Sequence, residues 1–242
     1  MSELSDQMSP SPTATPQQLD FSTVLAACVH DMKNSLFMLL QSIEQLADNN
    51  DLPADQQQEL AKLHYEAYRV NTNLMQLLGL YRMERDRLPL TIEEYFVSDL
   101  VEELIVKNSL YLESKGIEIE TDVDPDLVWY LDGDLINNLL TDVVNNALRY
   151  CDKRLMIRAQ VCQQGLLNIT LEDDGPGYPE NMLQFRVDRE TQSFDVKSGR
   201  TGLGLYFAGL IASSHKNKSV HGDIKLANGG QYGGSVFTLT LP

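Results

Sequence analysis

The sequence predicts an antiparallel helical hairpin followed by an α/β sandwich, and three observations carry that expectation. Two early segments repeat apolar residues at alternating steps of three and four. The remainder switches between helical and strand-like patterns, and three glycine-bearing stretches punctuate its C-terminal half. At 242 residues with 43% hydrophobic content, the chain can bury one large core or two modest ones.

The first eighteen residues are rich in Ser, Pro, Thr and Gln without an apolar period, the composition of a disordered tail. From about Leu19 to Ala47, Leu25, Val29, Met32, Leu36, Leu39, Ile43 and Leu46 form a heptad seam. Asp48 to Pro53 supplies turn chemistry, with a proline suited to the first turn of a new helix. A second seam follows in Leu60, Leu63, Ala67, Val70, Leu74, Leu77 and Tyr81. A lone hairpin with such seams leaves apolar surface uncovered, so residues 19–87 are expected to dimerise into a four-helix bundle. The competing expectation is that the hairpin packs on the rest of its own chain.

A linker near residues 86–92 opens the second unit, residues 88–242. Its expected order is a helix from FVSDL ending at Gly116, strands IEIETDVD and LVWYL, then the helix GDLINNLLTDVVNNALRYC. Strands RLMIRAQVC and LLNITLED, a Gly-rich loop, a helix near Leu203 to Ser214, and strands GDIKLA and SVFTLTL complete a mixed sheet with helices. Trp129 reads as core. His64, His215 and His221 read as structural or solvated.

A formal net charge of −16 argues against nucleic acid and anionic lipid as partners. No run approaches the length of a membrane span, and the start lacks signal-peptide character, so a cytoplasmic location is expected. Cys28, Cys151 and Cys162 lack the spacing of a zinc site or disulfide framework and are expected to be small buried or half-buried side chains.

One polar cluster interrupts the first helix: His30, Asp31, Lys33 and Asn34. With Val29 and Leu36 on the seam, this cluster points away from it, and His30 and Asn34 stack four apart. The residues leave two readings of His30 open, a solvated surface imidazole or a reactive one. Neutral imidazole has a lone pair that can take a phosphoryl group, and Asp31 is placed to orient the ring. Asn34 is an amide that can position water for the reverse hydrolysis. Phe37 and Met38 lie on the same outward face, which suits either a docking patch or a contact with the second unit.

The three glycine stretches are EDDGPGYP at Glu172–Pro179, GRTGLGL at Gly199–Leu205 and NGGQYGGSVF at Asn228–Phe237. Glycine lets backbone N–H groups approach phosphate, and a helix opening at Gly202-Leu203-Gly204 adds its positive dipole end. That would locally override the acidic field. Asn146, within an amphipathic helix, suits an oxygen ligand for Mg²⁺ that shares the ion with phosphates and water.

These motifs together resemble a two-component sensor histidine kinase: a dimerisation and phosphotransfer hairpin followed by a Bergerat-fold ATP-binding domain. HDMKNSL resembles the H box and DVVNNALRY the N box; DDGPG and GRTGLGL resemble the two G boxes, and GGSVFTLTLP the terminal strand. The match spans about residues 20–242. It implies that His30 accepts the γ-phosphoryl group of ATP, that Asp31 is base or orienter, and that Asn34 supports phosphatase activity toward a response regulator. The regulator's receiver domain would dock near Phe37 and Met38.

By the same resemblance, Asn146 would bind Mg²⁺ and Asp173 would accept a hydrogen bond from the adenine amino group. Gly175, Gly177, Gly199, Gly202 and Gly204 would shape the pocket and its lid. Asn138, Asp142, Arg149, Tyr150, Thr201, Leu203, Leu205 and Ser235 would complete the nucleotide site. Two positions depart from the family pattern: Ser35 stands where many members have proline, implying a straighter helix, and Asp142 stands where an Asn is common. The phenylalanine-flanked box is hard to find, with Phe185 and Phe194 as candidates beside QSFDVKSGR, expected to be a mobile lid. Nothing resembles a sensor domain, so input is expected from a separate partner protein, the tail or the dimer itself. The rival readings are a phosphotransfer adaptor or pseudokinase that serves as an interaction module, and an anti-sigma-type serine kinase, which shares the ATP fold but would not need the hairpin or His30.

Overall fold

A computed structural model describes residues 21–47, 52–83, 90–184 and 203–242, with side chains for all of these except 21–27, His30, Ala54, 75–83 and Leu203. Two long helices, α1 (Phe21–Ala47) and α2 (Ala54–Met83), form the hairpin. The heptad residues divide between two faces. Val29 and Ile43 of α1 and Ala67 of α2 are buried, with Leu36, Leu60 and Leu74 half-buried, whereas Met32, Leu39, Leu46, Leu63 and Val70 are exposed. Inside the hairpin, Leu40 packs with Ile43 and Ala67, the place expected for its neighbour Leu39. His64 is also buried there, its Nε2 standing 3.1 Å from Oε1 of Glu44.

The remaining elements follow the expected order, with additions. Strand β1 (Glu93–Phe96) precedes α3 (Val97–Lys115), and it pairs antiparallel with β3 (Val128–Leu131). Its EEYF sequence is too short to show a period, and Phe96, expected in the helix, belongs to the strand. Helix α3 ends as expected at Gly116, whose φ of 61° places it in the left-handed region that closes a helix. The N–H of Ile117 reaches back to the Leu112 carbonyl at 3.0 Å.

Strand β2 (Glu118–Val123), helix α4 (Gly133–Tyr150), β4 (Arg154–Val161) and β5 (Leu167–Asp173) come next. They are followed by the short α5 (Glu180–Leu183), α6 (Leu203–Ser214), the small pair β6 (Lys216–Asn217) and β7 (Val220–His221), and then β8 (Asp223–Asn228) and β9 (Ser235–Leu241). The main sheet has the order β2-β4-β5-β9-β8, with β2 and β4 parallel and the other pairs antiparallel. Period-two alternation puts Leu155, Ile157, Leu167, Ile169, Leu171, Phe237, Leu239 and Leu241 on one face, all buried under α3, α4 and α6. Each contributes about 1.5–3 kcal/mol by leaving water.

Helix α2 packs on this layer as well as on α1. Tyr65 belongs to the main core, stacks on Tyr111 with ring centroids 4.7 Å apart, and donates its hydroxyl to the Asn145 carbonyl at 3.2 Å. The hairpin therefore contacts its own chain through α2 while part of its seam stays open. Among the described residues, no helix is long and apolar enough to cross a membrane. Cys151 and Cys162 are half-buried as expected, but Cys28 is exposed, because its helix position lies off the face that α2 covers. Trp129 packs against the core and donates its indole N–H to the Pro242 carbonyl at 3.2 Å.

Candidate functional site

Helix α4 carries two parallel polar stripes. Asn137, Thr141 and Asn145 are buried, and they lie on the side where Tyr65 reaches the Asn145 backbone. The adjoining stripe, at the same four-residue spacing, is Asn138, Asp142 and Asn146, with Arg149 and Tyr150 one turn on. Asn138 and Asp142 are half-buried, and Asn146, Arg149 and Tyr150 are exposed. The Arg149 guanidinium lies 5.5 Å from the centre of the Tyr150 ring, which places a cation at the end of this open stripe.

The start of α4 is fixed by Asp132. Its carboxylate accepts from the N–H of Leu135 at 3.0 Å and of Thr91 at 2.8 Å, capping the helix. Its own N–H donates to Nε2 of His215 at 3.0 Å, and Nδ1 of His215 contacts the Ile211 carbonyl at 2.8 Å. His215 is therefore the neutral imidazole with its proton on Nδ1. Burial depresses its pKa below the ordinary value, against smaller opposing effects from the Ile211 carbonyl and Asp132.

The end of α4 is fixed to the turn after β5. Asp174 accepts from the N–H groups of Asp152 at 2.9 Å and Lys153 at 3.0 Å. Burial pushes the Asp174 pKa up, but these backbone donors, with those of Arg154 and Asp174 itself, outweigh it and hold the carboxyl below its ordinary value. A Cβ on Gly175 would stand 2.4 Å from the Tyr150 carbonyl, so only glycine permits this approach of the turn to α4. Gly177, at φ 81°, completes the turn.

Asp173 sits between these parts and is 3% exposed. Its Oδ1 accepts from the N–H of Gly175 at 2.8 Å and of Ser235 at 3.1 Å, and its Oδ2 accepts from the Ser235 hydroxyl. Tyr178 lies beside this group; burial, reinforced by Asp173, pushes its hydroxyl pKa up. The same two influences, with Asp174, push the Cys151 thiol up to about 12, so it is a packing group and not a nucleophile. The described parts are thus one fixed carboxylate acceptor, Asp173, an exposed amide, Asn146, and a cation, Arg149, the last two on the helix whose end the Gly175 turn meets.

Not every expected residue enters this geometry. Gly204 and Leu205 lie half-buried in the first turn of α6. Gly199, Thr201 and Gly202, the candidates Phe185 and Phe194, and the QSFDVKSGR segment lie outside the described residues, as does the Leu203 side chain. The same holds for the side chain of His30, whose backbone belongs to α1. Asp31, Asn34, Phe37 and Met38 are exposed on α1, the last two at 62% and 60%. Ser35 donates its hydroxyl to the Asp31 carbonyl at 3.0 Å, a bond within the helix that a proline at this position would not make. Sequence reading missed Asp132, Asp174, Tyr178 and Asn228. The last of these accepts the Tyr178 N–H at 2.6 Å and donates to its carbonyl at 2.8 Å. The doubled acid of DDG and the Asn opening NGGQYGG were the available signals.

Comparison with known proteins shows what the chain is similar to. A family model described as histidine kinase-, DNA gyrase B- and HSP90-like ATPase matches residues 131–242. A sensor histidine kinase component HK1 of Mycobacterium tuberculosis is 30% identical over 131 residues, 52% of this chain and 72% of that protein. A probable sensor histidine kinase HK of the same species is 28% identical over 195 residues, 78% of this chain and 48% of that protein. The virulence sensor histidine kinase PhoQ of Salmonella typhimurium is 24% identical over 203 residues, 84% of this chain and 41% of its own length. The chain thus spans about half the length, or less, of two of these three relatives. The solved structure of Acinetobacter baumannii histidine kinase AdeS superposes with a TM-score of 0.56 at 25% identity, covering 86% of this chain and 95% of that one. Full-length ShkA in complex with AMPPNP gives 0.60 at 20% identity, over 91% of this chain and 46% of that one, a likeness of fold.

Proposed function

Because the chain belongs to the sensor histidine kinases, we propose that it is an ATP-dependent protein histidine autokinase acting through His30. The observation that carries this reading is the buried Asp173, held by Ser235 and by Gly175, whose turn closes on the Tyr150 carbonyl at the end of the helix that carries Asn146. A carboxylate that keeps acceptor capacity after its own three donors suits the adenine amino group. Asn146 and Arg149 lie in the last turn of α4 before the Tyr150 carbonyl that the Gly175 turn approaches, and in this reading they meet the phosphates.

Among the described residues, no three His, Cys, Asp or Glu side chains gather in a metal cluster. An exposed amide oxygen nevertheless fits Mg²⁺, which takes few protein ligands when phosphates share it. Asn146 would hold the ion, whose chemistry is to neutralise charge on the phosphates. The chain's own work is positioning: Asp173 orients the base, Arg149 faces developing negative charge, and Asp31 orients the imidazole. The γ-phosphorus–oxygen bond breaks as the phosphorus–nitrogen bond to His30 forms, and ADP leaves. His30 then passes the phosphoryl group to an aspartate of a response regulator that docks on Phe37 and Met38, and Asn34 positions water for the phosphatase reaction.

The exposed residues Met32, Leu39, Leu46, Leu63 and Val70 support a homodimer, since they recur along α1 and α2 at heptad spacing. Incubation with γ-labelled ATP and Mg²⁺ tests the reading. Acid-labile label on the wild type, lost in His30→Ala and in Asn146→Ala, is the expected result. Absence of both label and ATP binding on the wild type would overturn it in favour of a phosphotransfer adaptor.

A further inference from the structure

Asp173 has a neighbour whose role the nucleotide site does not explain. Glu172 is 6% exposed, although it is an acid on the outer face of the sheet. Alternation along β5 sends it to the face opposite Asp173, where it meets a built network. Its Oε1 accepts from Arg158 at 3.1 Å, and its Oε2 accepts from the backbone N–H of Gln231 at 2.7 Å. Arg158 is itself held by Asp122 at 2.9 Å and reaches the Gln231 side chain at 3.4 Å. A Cβ on Gly230, where φ is 69°, would stand 2.4 Å from Glu172 Oε2, so the turn is shaped to close on this carboxylate.

The same turn is gripped from the other face by Asp173. The Gly234 N–H donates to the Asp173 carbonyl at 3.1 Å, and Ser235 meets the Asp173 carboxylate with both its N–H and its hydroxyl. A Cβ on Gly234 would lie 2.4 Å from the Asp173 carbonyl and 2.5 Å from its carboxylate. The segment from Asn228 to Ser235 therefore straddles the end of β5, held on one side by Glu172 and on the other by Asp173.

Resting on the ATP-binding reading above, we infer that Glu172, oriented by Arg158, is a positioning residue for base recognition. It fixes the turn that delivers Ser235 to Asp173, and thereby the angle at which Asp173 meets a 6-amino purine. A site built to accept from an amino group rejects an analogue that presents a carbonyl there, and the rejection depends on how firmly the acceptor is held.

Calorimetric titration of the full chain with ATP, inosine triphosphate and inorganic tripolyphosphate tests this. For Glu172→Ala the ATP affinity and the ATP-over-inosine preference are each expected to fall about tenfold, with tripolyphosphate affinity changed less than about twofold. Glu172→Gln keeps an acceptor for the Gln231 N–H and is expected to recover part of the preference. Equal losses for all three ligands, or an unchanged preference, would overturn the inference. If Glu172→Ala does not fold by circular dichroism, Arg158→Met decides, with the same direction expected. A wild type that binds no ATP at all sinks the nucleotide reading itself, a result seen before any variant is made.

Discussion

At the scale of single residues, the buried polar groups decide most. Asp173 carries three internal hydrogen bonds, so replacing it by Asn removes charge and turns an acceptor into a donor facing Ser235. Loss of a charge-assisted bond costs about 1.5–3 kcal/mol, so the ATP affinity of Asp173→Asn is expected to fall at least about tenfold in calorimetry. His215 gives a pH dependence. Its pKa is depressed in the folded chain, so the unfolded chain takes up the proton first as pH falls, and folded stability drops below about pH 6.5. Protonation puts a donor on Nε2 against the Asp132 N–H, while the Ile211 carbonyl and the Asp132 carboxylate favour it more weakly than burial opposes it. Urea midpoints taken from pH 7 to pH 5 are expected to fall more steeply for the wild type than for His215→Phe.

At the scale of elements, α2 is the part shared between two cores. Successive residues face opposite ways: His64 meets Glu44 inside the hairpin, and Tyr65 meets Tyr111 and the backbone of α4. Tyr65→Phe keeps the ring stacking and removes one hydroxyl donor, so a loss of about 1 kcal/mol is expected in denaturant unfolding. The contact also has a place along the hairpin. Asp31 and Ser35 line a groove with Asn73 and Leu74, so His30 stands near the level of Leu74. From Tyr65 to Leu74 is about 14 Å along the helix at 1.5 Å per residue. Phosphoryl transfer needs reacting atoms within about 3–3.5 Å, so in the autokinase reading the Tyr65 contact is expected to keep the nucleotide site short of His30. Tyr65→Ala is accordingly expected to raise the initial rate of labelling from γ-labelled ATP. An unchanged or lower rate, with ATP affinity intact, would show that α2 imposes no such separation.

At the scale of the whole molecule, the open seam sets the expected assembly. Val29, Ile43 and Ala67 are buried inside the hairpin, and Met32, Leu39, Leu46, Leu63 and Val70 stay exposed, the residues that the proposed homodimer would cover. Leu39→Lys combined with Val70→Lys is expected to halve the mass in light scattering. Circular dichroism is expected to hold, because these side chains bury little within one chain. Label transfer in mixtures of His30→Ala and Asn146→Ala chains would then show whether the two copies act on each other.

The sequence by itself determined the order of the long elements from the first helix to the last strand, because period and punctuation are local properties of the chain. It also determined which residues form the α4 stripe, since Asn138, Asp142 and Asn146 share a face wherever the segment is helical. It could not show that half of each heptad seam is covered within one chain, because a seam has the same spacing whichever partner it meets. Nor could it assign Leu40 to the hairpin interior in place of Leu39, a choice made by the way the two helices pack. The short strand β1 and the pair β6–β7 were invisible because so few residues carry no period and take their conformation from pairing. The grip of Glu172 and Asp173 on one turn was decided only by tertiary structure. It joins residues some sixty positions apart, and hydrogen bonds over that separation exist only once β9 lies beside β5.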